Sequence, residues 1–158
     1  MAPPTGALWP DHGTDPQDAS YAYVLMPGAS ERRTAERARD RDWLRILGND
    51  SAGQGVRVPS RGFTGARFWS AGTVGPVTAS GPVSVQIRER RDGTAVVSVA
   101  DPTRTVRGLT LTWRRQVTAV LSTAPAVTST ETGAVFTSTF GDLSGSHGAT
   151  HTLKVRTA

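Results

Sequence analysis

Residues 83–100, "VSVQIRERRDGTAVVSVA", decide how the rest of the chain is read. Val83, Val85 and Ile87 alternate with Ser84, Gln86 and Arg88, a period of two that puts apolar groups on one face of a strand and polar groups on the other. Asp92-Gly93 follows, a dipeptide suited to a hairpin because glycine reaches φ > 0 without strain. "TAVVSVA" then returns along the first strand, and Asp101-Pro102 predicts the next turn. Toward the C-terminus, "GLTLTWRR", "VTAVLST", "GAVFTSTF" and "THTLKVRT" each read as a further short strand. Short strands separated by turn signals, with no helical period, predict an antiparallel β-sandwich.

Toward the N-terminus, residues 71–82 ("AGTVGPVTASGP") are rich in Gly, Pro, Ser and Thr and carry no charge. Such a stretch predicts a boundary, here between a unit at 1–78 and a unit at 79–158. Before it, "DWLRILGND", "GQGVRVPS" and "GFTGARFWS" predict an antiparallel meander. "SERRTAERARDR" predicts one short surface helix with Ser30 as N-cap. Its only apolar residues are Ala35 and Ala38, so it has no face to bury. "ASYAYVLM" predicts a strand with Tyr21, Tyr23 and Leu25 on one face, ended by Pro27-Gly28. Both of its faces are apolar, which places it inside a sheet or between layers. Residues 1–18 read as loop.

The totals agree with an all-β chain. Its 158 residues suffice for one ordinary domain or two small ones. Gly 17 and Pro 10 break the chain too often for long helices. The net charge is +5, and Lys154 is the only lysine, so arginine carries nearly all the positive charge. Guanidinium binds carboxylate, sulfate and phosphate in a forked geometry, so a polyanion, glycan or nucleic acid, is a partner the composition allows. Without a helix-turn-helix, an aromatic RNA-binding strand motif or a basic tail, the pattern points away from nucleic acid. Cysteine is absent, which excludes disulfides and thiolate chemistry. "MAPPTGALWP" lacks the basic and apolar regions of a signal peptide, and no apolar run nears the roughly 20 residues that span a membrane.

Two stretches invite a catalytic reading. Asp11-His12 precedes Tyr21 and Tyr23, and a carboxylate-oriented histidine beside a phenol can do acid–base work. Neighbours in sequence seldom converge, however, and the tyrosines read as sheet-filling groups. "GDLSGSHGATH" offers Asp142, Ser144, Ser146, His147 and His151. It lacks the spacing and the helix of a nucleophile elbow, and Gly148 in a β-rich setting argues against a helical His147/His151 metal pair. It reads as the loop before the last strand. Neither stretch predicts a catalytic residue, a metal ligand or a cofactor site. The arginines remain: Arg57, Arg61, Arg67, Arg88 and Arg90 are the candidate contacts to an acidic carbohydrate, against the plainer reading of a solvated sheet face.

The stretch "DHGTDPQDASYAYVLMPGAS" (residues 11–30) resembles the His-Gly, Pro, Tyr-x-Tyr, Leu-x-Pro pattern near the end of the central β-domain in polysaccharide lyase family 8. That family includes hyaluronate, chondroitin AC and xanthan lyases. The matching positions are His12, Gly13, Pro16, Tyr21, Tyr23, Leu25 and Pro27. "WLRILGND" and "FTGARFWSAGTVGP" are similar to the family as well, and "VSVQIRERRDGTAVVSVADPT" resembles the start of its small C-terminal β-domain. The resemblance implies the end of an antiparallel, galactose mutarotase-like β-supersandwich (1–78) followed by a small antiparallel β-sandwich (79–158). It also implies a secreted, extracellular protein acting on hyaluronan, chondroitin or xanthan by β-elimination. The family's asparagine, histidine, tyrosine and arginine catalysts lie in an N-terminal α/α toroid that nothing here resembles. The expectation is therefore a scaffold and glycan-contacting region, inactive alone and partnered by that toroid, whether as a fragment, a misplaced start or one half of a split enzyme. A free-standing module for acidic glycans is the alternative. Strands at 1–75 cut off from their sheet partners are expected to expose edges and apolar surface.

Overall fold

A computed structural model describes residues 11, 13–17 and 19–158. In chain order its elements are α1 (Glu31–Arg39), β1 (Arg45–Asn49), β2 (Gly53–Val58), β3 (Phe63–Phe68), β4 (Gly72–Val74), β5 (Val77–Ala79), β6 (Val83–Glu89), β7 (Thr94–Ala100), β8 (Leu109–Trp113), β9 (Val117–Thr123), β10 (Val127–Glu131), β11 (Phe136–Phe140) and β12 (Thr150–Thr157). Single 3-10 turns lie at Pro59–Arg61 and Ser144–Ser146. The strands form a seven-stranded sheet, ordered β1-β2-β3-β6-β7-β12-β9, and a five-stranded sheet, ordered β10-β11-β8-β5-β4. Every strand pairing is antiparallel.

The alternation read in the sequence is the alternation that fills the core. Val83, Val85 and Ile87 of β6, Ala95, Val97 and Val99 of β7, and Leu153 and Val155 of β12 point inward from the larger sheet. Leu109, Leu111 and Trp113 of β8, with Phe136 and Phe140 of β11, meet them from the smaller one. Aligned sheets with interdigitated inner faces bury most of the apolar area such a chain can offer. The β6–β7 hairpin turns through Arg91-Asp92-Gly93, with Gly93 at φ +73°. A three-residue loop ending in a left-handed glycine is the form that keeps both strands in register. The Asp92 carboxylate fastens it, accepting from the Thr94 hydroxyl at 2.7 Å and the Thr94 N–H at 2.9 Å.

Residues 71–82, read as a boundary between units 1–78 and 79–158, hold β4, β5 and their turns. Hydrogen bonding runs across that point. β3 pairs with β6, Phe63 opposite Arg88 through Phe68 opposite Val83, while β5 pairs with β8. The strands on its two sides therefore share both sheets. The glycines and prolines there turn the chain from one sheet to the other and back, instead of linking two cores.

The strand expected at residues 19–26 has no place in either sheet. Tyr23 and Leu25 are 74% and 78% exposed, so this segment does not fill a layer. Alternating apolar residues make a strand only where a ladder of backbone hydrogen bonds to another strand forms, and β1, the edge strand nearby, pairs with β2 and carries no such ladder to this segment. One link from the segment to the sheet is Asn49, whose side-chain amide donates to the Tyr21 carbonyl at 3.3 Å. α1 forms as expected, capped by the Ser30 hydroxyl accepting from the Arg33 N–H at 3.3 Å, with no buried residue. Among the described residues, no helix is long and apolar enough to cross a membrane.

Candidate functional site

The turn between β2 and β3 leans over the β6–β7 hairpin, and the two enclose a shallow cleft of about 610 Å³. Arg57, Pro59, Ser60, Arg61, Gly62, Arg88, Glu89, Arg90 and Arg91 line it. Local chemistry explains the lean. Pro59 starts a 3-10 turn, and Gly62 ends it in the left-handed conformation at φ +55°. In that conformation the Gly62 carbonyl accepts from the Glu89 N–H at 2.8 Å. A Cβ on Gly62 would lie 2.2 Å from the Glu89 carbonyl oxygen, so only glycine permits this approach.

Four of the five arginines expected to contact an acidic glycan, Arg57, Arg61, Arg88 and Arg90, thus meet in one cleft. Sequence reading left Arg91 out of that set; its place in the hairpin loop was the available signal. The fifth, Arg67, is elsewhere. It projects from the outer face of β3, donates to the Ser84 hydroxyl at 3.1 Å, and stacks over Trp69 at 4.8 Å from the ring centroid.

The cleft arginines are not equivalent. Register puts Arg57 opposite Thr64, and Thr64 opposite Ile87, on the inward face. There, at the open end of the sandwich, Arg57 meets Glu89 at 3.3 Å. Arg115, which follows β8 in the other sheet, brings its Nε within 2.9 Å of the second Glu89 oxygen, without the alignment of a hydrogen bond. Glu89 is only 18% exposed, so this bridge across the sheets is better shielded than a surface pair. The single negative charge of Glu89 is shared by Arg57 and Arg115, so the trio keeps a net charge of about +1. Arg61, Arg88, Arg90 and Arg91 remain exposed, and among the described residues no salt bridge joins them to a carboxylate. Arg88 also lies 5.3 Å from the centroid of the Phe63 ring, which holds its guanidinium against the sheet.

The two stretches with catalytic residue types are structural in their described parts. Asp11 accepts from the Gly13 N–H at 2.8 Å, and His12 lies outside the described residues. Tyr21 and Tyr23 stack in parallel, centroids 6.3 Å apart, on the surface. In the other stretch, Asp142 accepts from the Ser144 N–H at 2.8 Å and hydroxyl at 2.6 Å, which lowers its pKa. Ser146 donates to the Leu143 carbonyl at 2.6 Å. His147 closes the 3-10 turn at φ +53°, and His151 sits in β12 opposite Val99. Asp142, Ser144 and Ser146 hold a turn together. A second hollow, about 540 Å³, lies between residues 22–26, α1 and β1. It is lined chiefly by Tyr23, Val24, Trp43, Leu44, Ile46 and Val56, and Arg37 and Asp40 on its rim pair with each other at 3.4 Å.

Residues 45–110, starting on the first residue of β1, match the C-terminal beta-sandwich domain of polysaccharide lyase family 8. The chain carries the C-terminal β-region of polysaccharide lyase family 8. It is 46% identical over 123 residues to a hyaluronate lyase of Thermasporomyces composti, an alignment covering 78% of this chain and 16% of that protein. A xanthan lyase of Bacillus sp. (strain GL1) is 37% identical over 103 residues, 64% of this chain and 11% of the relative. The crystal structure of the Streptomyces coelicolor A3 chondroitin AC lyase, in complex with chondroitin sulphate, superposes with a TM-score of 0.83 at 42% identity. It covers 93% of this chain, which in turn spans 19% of that structure. The chain thus spans less than a fifth of the length of the relatives it matches.

Proposed function

We propose that this chain is the C-terminal β-region of a secreted, extracellular bacterial lyase that cleaves uronic-acid polysaccharides by β-elimination, and that its part is to hold acidic glycan at the arginine cleft. The relatives are polysaccharide lyases, which supports the substrate class. The observation that carries the local role is the convergence of Arg61, Arg88, Arg90 and Arg91, which among the described residues have no salt bridge to a carboxylate, beside Arg57 and Arg115, which share Glu89. On this reading the proton abstraction and C–O cleavage belong to an α/α toroid domain that partners the sandwich.

The test is binding to hyaluronan or chondroitin sulfate, measured by calorimetry at low and high salt. Arg88→Glu/Arg90→Glu is expected to weaken binding at least tenfold at low ionic strength. The difference should shrink near 1 M salt, where screening acts within about 3 Å. Both side chains are exposed, so the melting temperature should barely move. No retention on any acidic glycan would sink the proposal. The chain alone is expected to release no unsaturated uronate, followed by its ultraviolet absorbance; clear turnover would place catalysis in this region after all. The alternative, a free-standing module for acidic glycans, is favoured if the genomic frame ahead of Met1 encodes no toroid.

A further inference from the structure

We infer that the glycan-contacting surface continues beyond the cleft, across the outer face of the seven-stranded sheet to Arg67 and Trp69, so that a linear acidic polysaccharide lies along β3 and β6 and reaches both ends only when it is several sugars long. The inference rests on the reading of the cleft given above. Charge is the first support. Among the described residues, Glu89 is the only carboxylate in the seven strands of this sheet, and it points inward. The cations on the outer face are Arg67, Arg88, Lys154 and Arg156 by register: Phe63, Arg88, Val96 and Lys154 form one row across four strands. Besides Glu89, which lines the cleft and is paired with Arg57 and Arg115, the hairpin carries Asp92, one oxygen of which accepts from Thr94.

Relief is the second support. Between the two arginine positions, Gly65 faces Gln86 and lets the Phe63 ring lie across the strand, 3.1 Å from where a Cβ would stand, so the floor there is a flat aromatic one. Beside it a hollow of about 210 Å³ runs over Phe63, Gln86, Arg88 and Ser98 toward Arg90. At the far end Trp69 is 49% exposed with the Arg67 guanidinium stacked on it. An aromatic plane beside a fixed cation suits the C–H face of a sugar ring that carries an acidic group. Arg67 faces Ser84 and Phe63 faces Arg88, so the two contact points stand about 13 Å apart along the strands at about 3.3 Å per residue. Contacts that far apart reward a chain that can bridge them and give nothing to a fragment that cannot.

The experiment compares a disaccharide with long hyaluronan and chondroitin sulfate, on the wild-type chain and two variants. Arg67→Ser/Trp69→Ala is expected to weaken long-chain binding at least fivefold and to leave the disaccharide unchanged, while Arg88→Glu/Arg90→Glu weakens both. Arg67→Gln, which keeps a donor for Ser84, serves if the double variant loses its fold; it should show the same length dependence at smaller amplitude. Unchanged long-chain affinity in both Arg67 variants, with loss in the cleft variant, overturns the extension and leaves the cleft standing. No loss in any variant overturns both. Tighter binding of single-stranded DNA of matched length than of either glycan overturns the choice of partner.

Discussion

Asp101→Ala is expected to lower the stability of the sandwich by about 3 kcal/mol. Asp101 ends β7, where the chain leaves the larger sheet to cross to β8, and it is fully buried. One of its oxygens accepts from the N–H of Thr103 at 2.9 Å, the N–H of Arg104 at 3.0 Å and the Thr103 hydroxyl at 2.5 Å. The other accepts from the N–H of Thr105 at 2.9 Å and of Val106 at 2.8 Å. The crossover has little else to hold it: residues 102–105 are exposed, and Arg104 sits at φ +58°, unfavourable for a side chain with a Cβ. Water can reach the donors of the exposed residues after truncation, but the Val106 N–H is buried and would be stranded. That stranded donor at roughly 1–3 kcal/mol, with about 1 kcal/mol more for the bonds lost at the exposed donors, gives the figure. A thermal melt checks it, as a fall of roughly 6–12 °C for a domain of this size; a shift under 2 °C would mean that the loop holds itself.

The same carboxyl sets a pH dependence. Burial pushes its pKa up, but the Thr103 hydroxyl and the N–H groups of Val106, Arg104 and Thr103 together hold it below its ordinary 3.8. A folded pKa below the unfolded one means stability that is complete above the unfolded value and lost as the pH falls through the folded one. The wild-type melting temperature should therefore drop on acidification below about pH 4. Asp101→Asn, which keeps one oxygen but turns an amide toward two N–H donors, should be less stable near neutrality and show a shallower acid limb.

Gly62→Ala is expected to cost about 2 kcal/mol and to weaken glycan binding as well. The left-handed φ carries a penalty of roughly 1 kcal/mol for a residue with a Cβ. The new carbon would also start 2.2 Å from a backbone oxygen of β6, which no rotamer can relieve. The turn must lift, losing the bond from the Glu89 N–H and carrying Arg61 away from Arg88 and Arg90. A urea titration gives the stability and the glycan assay gives the second effect. Destabilisation with unchanged affinity would show that the position of Arg61 does not matter to the cleft.

Legibility varied along the chain for physical reasons. β6, β7, β9 and β12 were readable because each has one buried and one solvated face, or a β-rich run between turn residues. β4 and β5 were missed because three-residue strands inside Gly and Pro turns leave no room for a period. β10 was missed because it is an edge strand of Val-Thr-Ser-Thr-Glu with little to bury. Residues 19–26 had the pattern of a strand but not the partner, and pattern alone cannot supply one. In the cleft, the arginines could be named one by one. Their meeting depends on Gly62 docking against β6, and the pairing of Arg57 depends on Glu89 lying between two sheets, neither of which is a local property of the sequence.

The position of β12 bears on how the molecule comes into being. It is the last of these twelve strands in chain order, yet it lies between β7 and β9, which precede it and are joined only through it. Until it is released, the larger sheet exists in two pieces, each with an open edge and an uncovered inner face. Long-range pairing of this kind folds slowly and leaves intermediates open to association. Of the twelve strands the one that closes the larger sheet is therefore made last, and the nascent sandwich must stay unaggregated until residues 150–157 arrive to lock it.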